Sequence, residues 1–190
     1  MNQALIFLVE TFLGLLVLAL LLRFILQIVR APYGNPLSGF IFAITDFMVR
    51  PARRFIPGLR GYDLSSLLLA WVVEIALIGI VLSLKGYGFG PAIGNTMIAL
   101  MLLAVVRLIR LFLYIVMFTV FIQAILSWVS PYSPAMPILQ SLTRPFLRIF
   151  QQRIPPAGGV DLSPLFVLIT CQLILMWPVA SLEGMFSRMF

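Results

Sequence analysis

The sequence predicts an all-α membrane protein of about four transmembrane helices, built as two tandem repeats of the same orientation. Each repeat carries an amphipathic helix at the cytoplasmic surface. Composition is the first reason: 62% of the 190 residues are hydrophobic and only 10% are charged. A soluble core of that size cannot hide so much apolar side chain, whereas lipid solvates it. The second reason is that the chain, shifted by 98 positions, falls on itself. Pro36 then meets Pro134, Thr45 meets Thr143, Arg50 meets Arg148, and Asp63-Leu64-Ser65 meets Asp161-Leu162-Ser163, without a gap from Pro36 to about Ile75. The third is a shared order within each copy: apolar span, basic amphipathic stretch, Pro/Gly turn, Asp-Leu-Ser, apolar span.

The first repeat is assigned to residues 1–94 and the second to 95–190. Span one runs over about 4–29, long enough to cross ~30 Å of hydrocarbon with some tilt. No Lys or Arg precedes it, no small-residue cleavage site follows, and Glu10 lies inside it, so it does not read as a cleavable signal. Residues 36–55 carry Leu37, Phe40, Ile41, Ile44 and Met48 at helical spacing, with Arg50, Arg53 and Arg54 off that face. This is the pattern of a helix lying in the membrane interface. Residues 134–153 repeat it with Ile138, Leu139, Leu142, Phe146 and Ile149 against Arg144, Arg148 and Arg153. Pro51 and Pro145 are expected to break or kink these helices, leaving each as two short pieces. The turns Pro57-Gly58-Leu59-Arg60-Gly61 and Pro155-Pro156-Ala157-Gly158-Gly159 follow. Asp63 and Asp161 then stand where an Asp caps the N-terminus of a helix with its carboxylate; a paired cation site is the weaker alternative. Spans two and four run over about 64–84 and 162–182. Apolar character from Thr96 to Val129 is too long for one ~20-residue span. The crossing is therefore set at about 108–129, with Met97–Val106 as a short interfacial or re-entrant helix.

Arginine counts orient the chain. Arg30, Arg50, Arg53, Arg54 and Arg60 lie between spans one and two, and Arg144, Arg148 and Arg153 between spans three and four. The other side offers Lys85 and Arg188, with Arg107 and Arg110 at the start of span three. The positive-inside rule puts the two repeat loops in the cytoplasm and both termini outside.

Ionisable residues inside spans are costly and therefore informative. Glu10, Arg23, Glu74 and Arg110 are the candidates. In the repeat alignment Glu10 corresponds to Arg110, Arg23 to Gln123, and Glu74 to Gln172. At ~1.5 Å per residue, Arg23 lies about 10 Å and Glu74 about 15 Å inside their cytoplasmic span ends. The two are expected to pair, with Gln123 and Gln172 as the neutral counterpart. An ion relay would use the same residues.

Several chemistries are disfavoured. The chain has no histidine, which removes the commonest general base and zinc or haem ligand, and no metal ligands or cofactor motif stand out. The single Cys171 rules out an internal disulfide. Gly86-Tyr87-Gly88 resembles part of a potassium filter but lacks a Thr-Val lead-in and has Lys85 at its mouth, so it reads as loop. Gly90 and Gly94, interrupted by Pro91, read the same way. The net charge of +7 comes from basic residues interleaved with Phe, Ile and Leu, which suits an anionic membrane surface and not nucleic acid.

Taken together, Gln123-Ala124-Ile125-Leu126-Ser127-Trp128, Leu142-Thr143-Arg144-Pro145 and Pro155-Pro156-Ala157-Gly158-Gly159-Val160-Asp161-Leu162-Ser163-Pro164 resemble the YggT/YlmG family of small integral membrane proteins. The first copy departs with Phe47 in place of Pro145 and Ser66 in place of Pro164. The resemblance covers nearly the whole chain and implies roles in osmotic and potassium homeostasis, in division and nucleoid or plastid organisation, or in cytochrome b assembly. It defines no catalytic residues. The expected function is a non-enzymatic scaffold or assembly factor; the alternative is a transporter, channel or channel modulator. Expected partners are anionic lipid headgroups and other membrane proteins, with self-association as a further option.

Overall fold

The computed structural model describes residues 2–30, 36–55, 63–87, 93–130, 132–153 and 161–189. These form helices α1 (Asn2–Ile28), α2 (Pro36–Phe55), α3 (Leu64–Leu84), α4 (Ile93–Val129), α5 (Met136–Gln151), α6 (Ser163–Ile174) and α7 (Ala180–Ser187), with a π-helical segment, Leu175–Val179, joining the last two. No strand is present among the described residues. Four helical runs are long and apolar enough to cross a membrane: Asn2–Ile28, Leu64–Leu84, Thr96–Val129 and Ser163–Ser187. The Pro/Gly turns 57–61 and 155–159, and the end of the glycine loop after Tyr87, lie outside the described residues.

Each half pairs its two spans, α1 on α3 and α4 on α6–α7, and α3 packing on α4 joins the halves. The core is layered along the bundle. Leu21, Ile25 and Leu26 of α1 meet Ile41, Ile115, Ile138 and Leu142 at the end where the amphipathic helices dock. Val17, Leu20, Val49, Ala70, Val73 and Leu108 form the next layer, and Ile78 packs with Leu100, Leu103 and Ala104 beyond it.

α4 corrects the expectation of a separate helix at 97–106. Those residues continue the same helix as the span, because Ala99, Leu100, Leu103 and Ala104 are strong helix formers, no proline interrupts them, and all four are buried. The helix has 37 residues, so it spans about 55 Å and must tilt or project beyond the ~30 Å hydrocarbon layer.

α2 and α5 are likewise continuous through Pro51 and Pro145, where breaks were expected. Val49 and Leu147 are both buried and hold the helix next to each proline. Both prolines are exposed, and each leaves one carbonyl of its helix without an N–H partner. The apolar stripe expected on α2 divides. Ile41 is buried, together with Ser38, Thr45 and Val49, whereas Leu37, Phe40 and Ile44 point away from the bundle. On α5, Ile138 and Leu142 turn inward and Ile149 outward.

Helix ends explain the glycine motif. Gly86 has φ 83°, its N–H bonds the Ser83 carbonyl at 3.1 Å, and the Tyr87 N–H reaches back to the Leu82 carbonyl at 3.1 Å. That pair of bonds closes α3 in a Schellman cap, so Gly86 is there for its left-handed backbone. At the other end of the chain, Pro178 cannot donate to the ladder, and the helix widens to π geometry around it.

Candidate functional site

The first ionic cluster is built where α1, α2 and α3 meet. Arg23, only 2% exposed, is carried inward by α1. Its Nη1 donates to Thr45 Oγ1 at 2.8 Å and to Asp46 Oδ1 at 2.7 Å. The Thr45 hydroxyl in turn donates to the Ile41 carbonyl at 2.6 Å, which leaves its lone pairs for the guanidinium. Arg23 Nε lies 3.8 Å from Asp63 Oδ2, and its guanidinium sits over the Phe42 ring, 4.8 Å from the centroid. Arg50 clamps Asp46 from one turn away at 2.8 Å. Asp63 accepts from Arg53 at 2.5 and 3.2 Å, from Ser66 Oγ at 2.9 Å and from Gln27 at 3.5 Å.

Electrostatics follow from these partners. The hydrogen bond from Arg23 holds the Asp46 carboxyl below the usual carboxylate range, against the opposing effect of burial. Burial pushes Asp63 upward, but the bonds from Arg53 and Ser66 outweigh it and leave the group lowered. The expected capping role needs correction here. Asp63 occupies the N-cap position of α3, yet its carboxylate makes no capping hydrogen bond and is taken up by arginine. Asp161 does not occupy the cap position of α6, which falls on Leu162; its carboxylate accepts the Ser163 backbone N–H at 2.8 Å, and Gln151 donates to its other oxygen at 2.8 Å. Burial raises the Asp161 carboxyl and these bonds bring it below the ordinary range.

The second half keeps this skeleton without the buried charge. Gln123 stands where Arg23 stands and its amide lies against the Thr143 hydroxyl, which donates to the Leu139 carbonyl at 2.8 Å as Thr45 does to Ile41. Gln151 stands where Arg53 stands and reaches Asp161, as Arg53 reaches Asp63. Asp46 is replaced by Arg144, which is exposed.

A second ionic cluster lies deeper, on the other side of the layer formed by Val17, Leu20, Ala70 and Val73. Glu74 of α3, 7% exposed, is 3.6 Å from Arg107 of α4. Arg107 is also 3.7 Å from Glu183 of α7, which Arg110 holds at 2.8 and 3.0 Å. The Arg110 guanidinium lies 5.6 Å from the Tyr114 ring centroid. Glu10 joins these groups around one cavity of about 280 Å³. Arg23 and Glu74 therefore do not pair, contrary to expectation, because each is answered by a nearer opposite charge in a different layer. Gln172 is exposed on α6 and does not approach Gln123 as a neutral counterpart. Arg54, Arg148 and Arg153 are exposed at the amphipathic-helix end of the bundle.

A family model described as CCB3/YggT matches residues 2–84 and 102–182. The chain belongs to the CCB3/YggT family. Over 187 residues it is 39% identical to an uncharacterized protein of Pseudomonas aeruginosa, covering 97% of this chain and 93% of that one. It is 33% identical over 168 residues to the uncharacterized protein YggT of Escherichia coli K12, covering 88% of this chain and 85% of the relative. An uncharacterized protein in the proC 3' region of Vibrio alginolyticus is also 33% identical, over 167 residues. No solved structure matches.

Within this member of the family, sequence reasoning missed Asp46 as the partner of Arg23, and Arg107 and Glu183 as the partners of Glu74 and Arg110. Asp46 was visible as the one acid on α2. Glu183 fell one residue beyond the expected end of span four, and Arg107 one residue before the expected start of span three, so neither was counted as intramembrane.

Proposed function

We propose that the protein is a non-enzymatic scaffold of a bacterial inner membrane, organising other membrane proteins around a rigid helical frame. The observation that carries this reading is the closure of its polar groups into two ionic clusters separated by apolar packing. A transport path past Arg23 and Glu74 would cross Val17, Leu20, Ala70 and Val73, all of them buried against one another. Charges already answered at 2.5–2.7 Å inside the first cluster tie α1 to α2 and α2 to the head of α3. Large apolar side chains on the outer faces, among them Phe12, Phe118 and Trp177, offer surface to lipid or to neighbouring helices. Both repeat loops face the cytoplasm in this reading.

The test is flux in proteoliposomes. Purified protein should pass potassium and small osmolytes no faster than empty liposomes do. Flux that disappears on Glu74→Gln would overturn the scaffold and favour a transporter working through the deeper cluster.

A further inference from the structure

The repeat alignment exposes a difference between the halves that bears on a ligand. In the first half the Arg23 guanidinium is neutralised by Asp46 at 2.7 Å. The equivalent positions in the second half hold Gln123 and Arg144, so the acid has become a base and the buried cation has become a neutral amide. A polar pocket of about 460 Å³ opens there between α4 and α5, lined by Gln123, Gln140, Ser141, Thr143, Arg144 and Gln151. Arg144 has no hydrogen-bond or ion-pair partner among the described residues. One turn on, Arg148 adds a second positive charge and no acid. The nearby acid, Asp161, is occupied by Gln151 and by the Ser163 backbone N–H. The Thr143 hydroxyl donates to the Leu139 carbonyl at 2.8 Å and lies against the Gln123 amide, which lines the pocket and has no other partner among the described residues.

We propose that this pocket binds a phosphate group, with Arg144 supplying the charge and Gln123 and Gln140 supplying hydrogen bonds. A planar guanidinium fork beside amide donors, with no competing carboxylate in the lining, matches the tetrahedral oxyanion of a phosphate. The pocket adjoins the amphipathic helix α5, at the end of the apolar spans, where the phosphates of a bilayer lie. A lipid phosphodiester and free phosphate present the same oxygens, and the experiment separates them.

The full chain in detergent is titrated with phosphatidylglycerol, and retained lipid is counted by native mass spectrometry. One lipid is expected to be held, and Arg144→Gln should lower its retention at least five-fold. Gln140→Trp, which keeps every charge but fills the pocket from an exposed position, should do the same. Arg188→Gln, an equal loss of charge near the far end of span four, should leave retention unchanged. Resistance of the bound lipid to millimolar inorganic phosphate identifies a lipid site, and displacement identifies a site for soluble phosphate. Unchanged retention in Arg144→Gln overturns the proposal. So does loss in Arg144→Gln with full retention in Gln140→Trp, which would mean diffuse surface charge with no pocket behind it.

Discussion

A guanidinium inside a span is tolerated only where neighbours replace its water, and Arg23 has such neighbours from two other helices. Removing it leaves Asp46 with Arg50 alone and Asp63 short of one positive neighbour. Arg23→Gln should therefore cost roughly 2–3 kcal/mol of stability, toward the low end for a buried pair because Asp46 is 27% exposed. Adding Asp46→Asn should recover part of that loss, read as non-additivity in a thermal double-mutant cycle. The same cycle with Glu74→Gln should be additive within about 0.5 kcal/mol, since the two residues share no partner. Acid provides an independent check. Asp46 and Asp63 have folded-state values below the ordinary ~3.9, so their stabilisation is complete above that value and fades as pH falls through the lowered ones. The melting temperature in detergent should drop below about pH 4, and Asp63→Asn should flatten that drop.

At the scale of elements, the errors of the sequence reading share a cause. Breaks were expected at Pro51 and Pro145, and a boundary was expected near residue 107, from local rules on proline and span length. Tertiary packing overrode both. Val49 and Leu147 anchor the helices beside their prolines, while Leu100, Leu103 and Ala104 bind the start of α4 to Ile78. What local pattern did disclose was the existence and type of each helix, because apolar runs of this length have no other stable form in lipid. The continuity of α4 is measurable. Spin labels at Met97 and Ile125, both on exposed positions, should sit about 42 Å apart along one helix. A re-entrant start would fold the first label back toward the second, and a distance under about 25 Å would rule out the single helix.

At the scale of the molecule, the duplication was legible because proline, threonine, arginine and Asp-Leu-Ser recur at fixed spacing, whereas the pairing of charges was not. Sequence distance says little about which helices are neighbours: Glu183 reaches Arg110 across 73 positions. Orientation is open to direct test. In a Cys171→Ala background, cysteine placed at Gln152 should be shielded from an impermeant thiol reagent in intact cells, and cysteine at Tyr87 should react. The reverse pattern would invert the protein in the membrane.

The first cluster also constrains how the chain is made. Arg23 belongs to α1, and its acids, Asp46 and Asp63, are joined to the chain only after that helix is complete. For that interval the arginine has only water and lipid headgroups near the membrane surface, which its long side chain can reach from one to two turns inside the span. The first helix thus has reason to ride high until α2 docks, and to settle once the acids arrive. A ribosome stalled before residue 46 would hold a shallower first helix than one stalled after residue 63, and assembly of this bundle would proceed by descent as much as by folding.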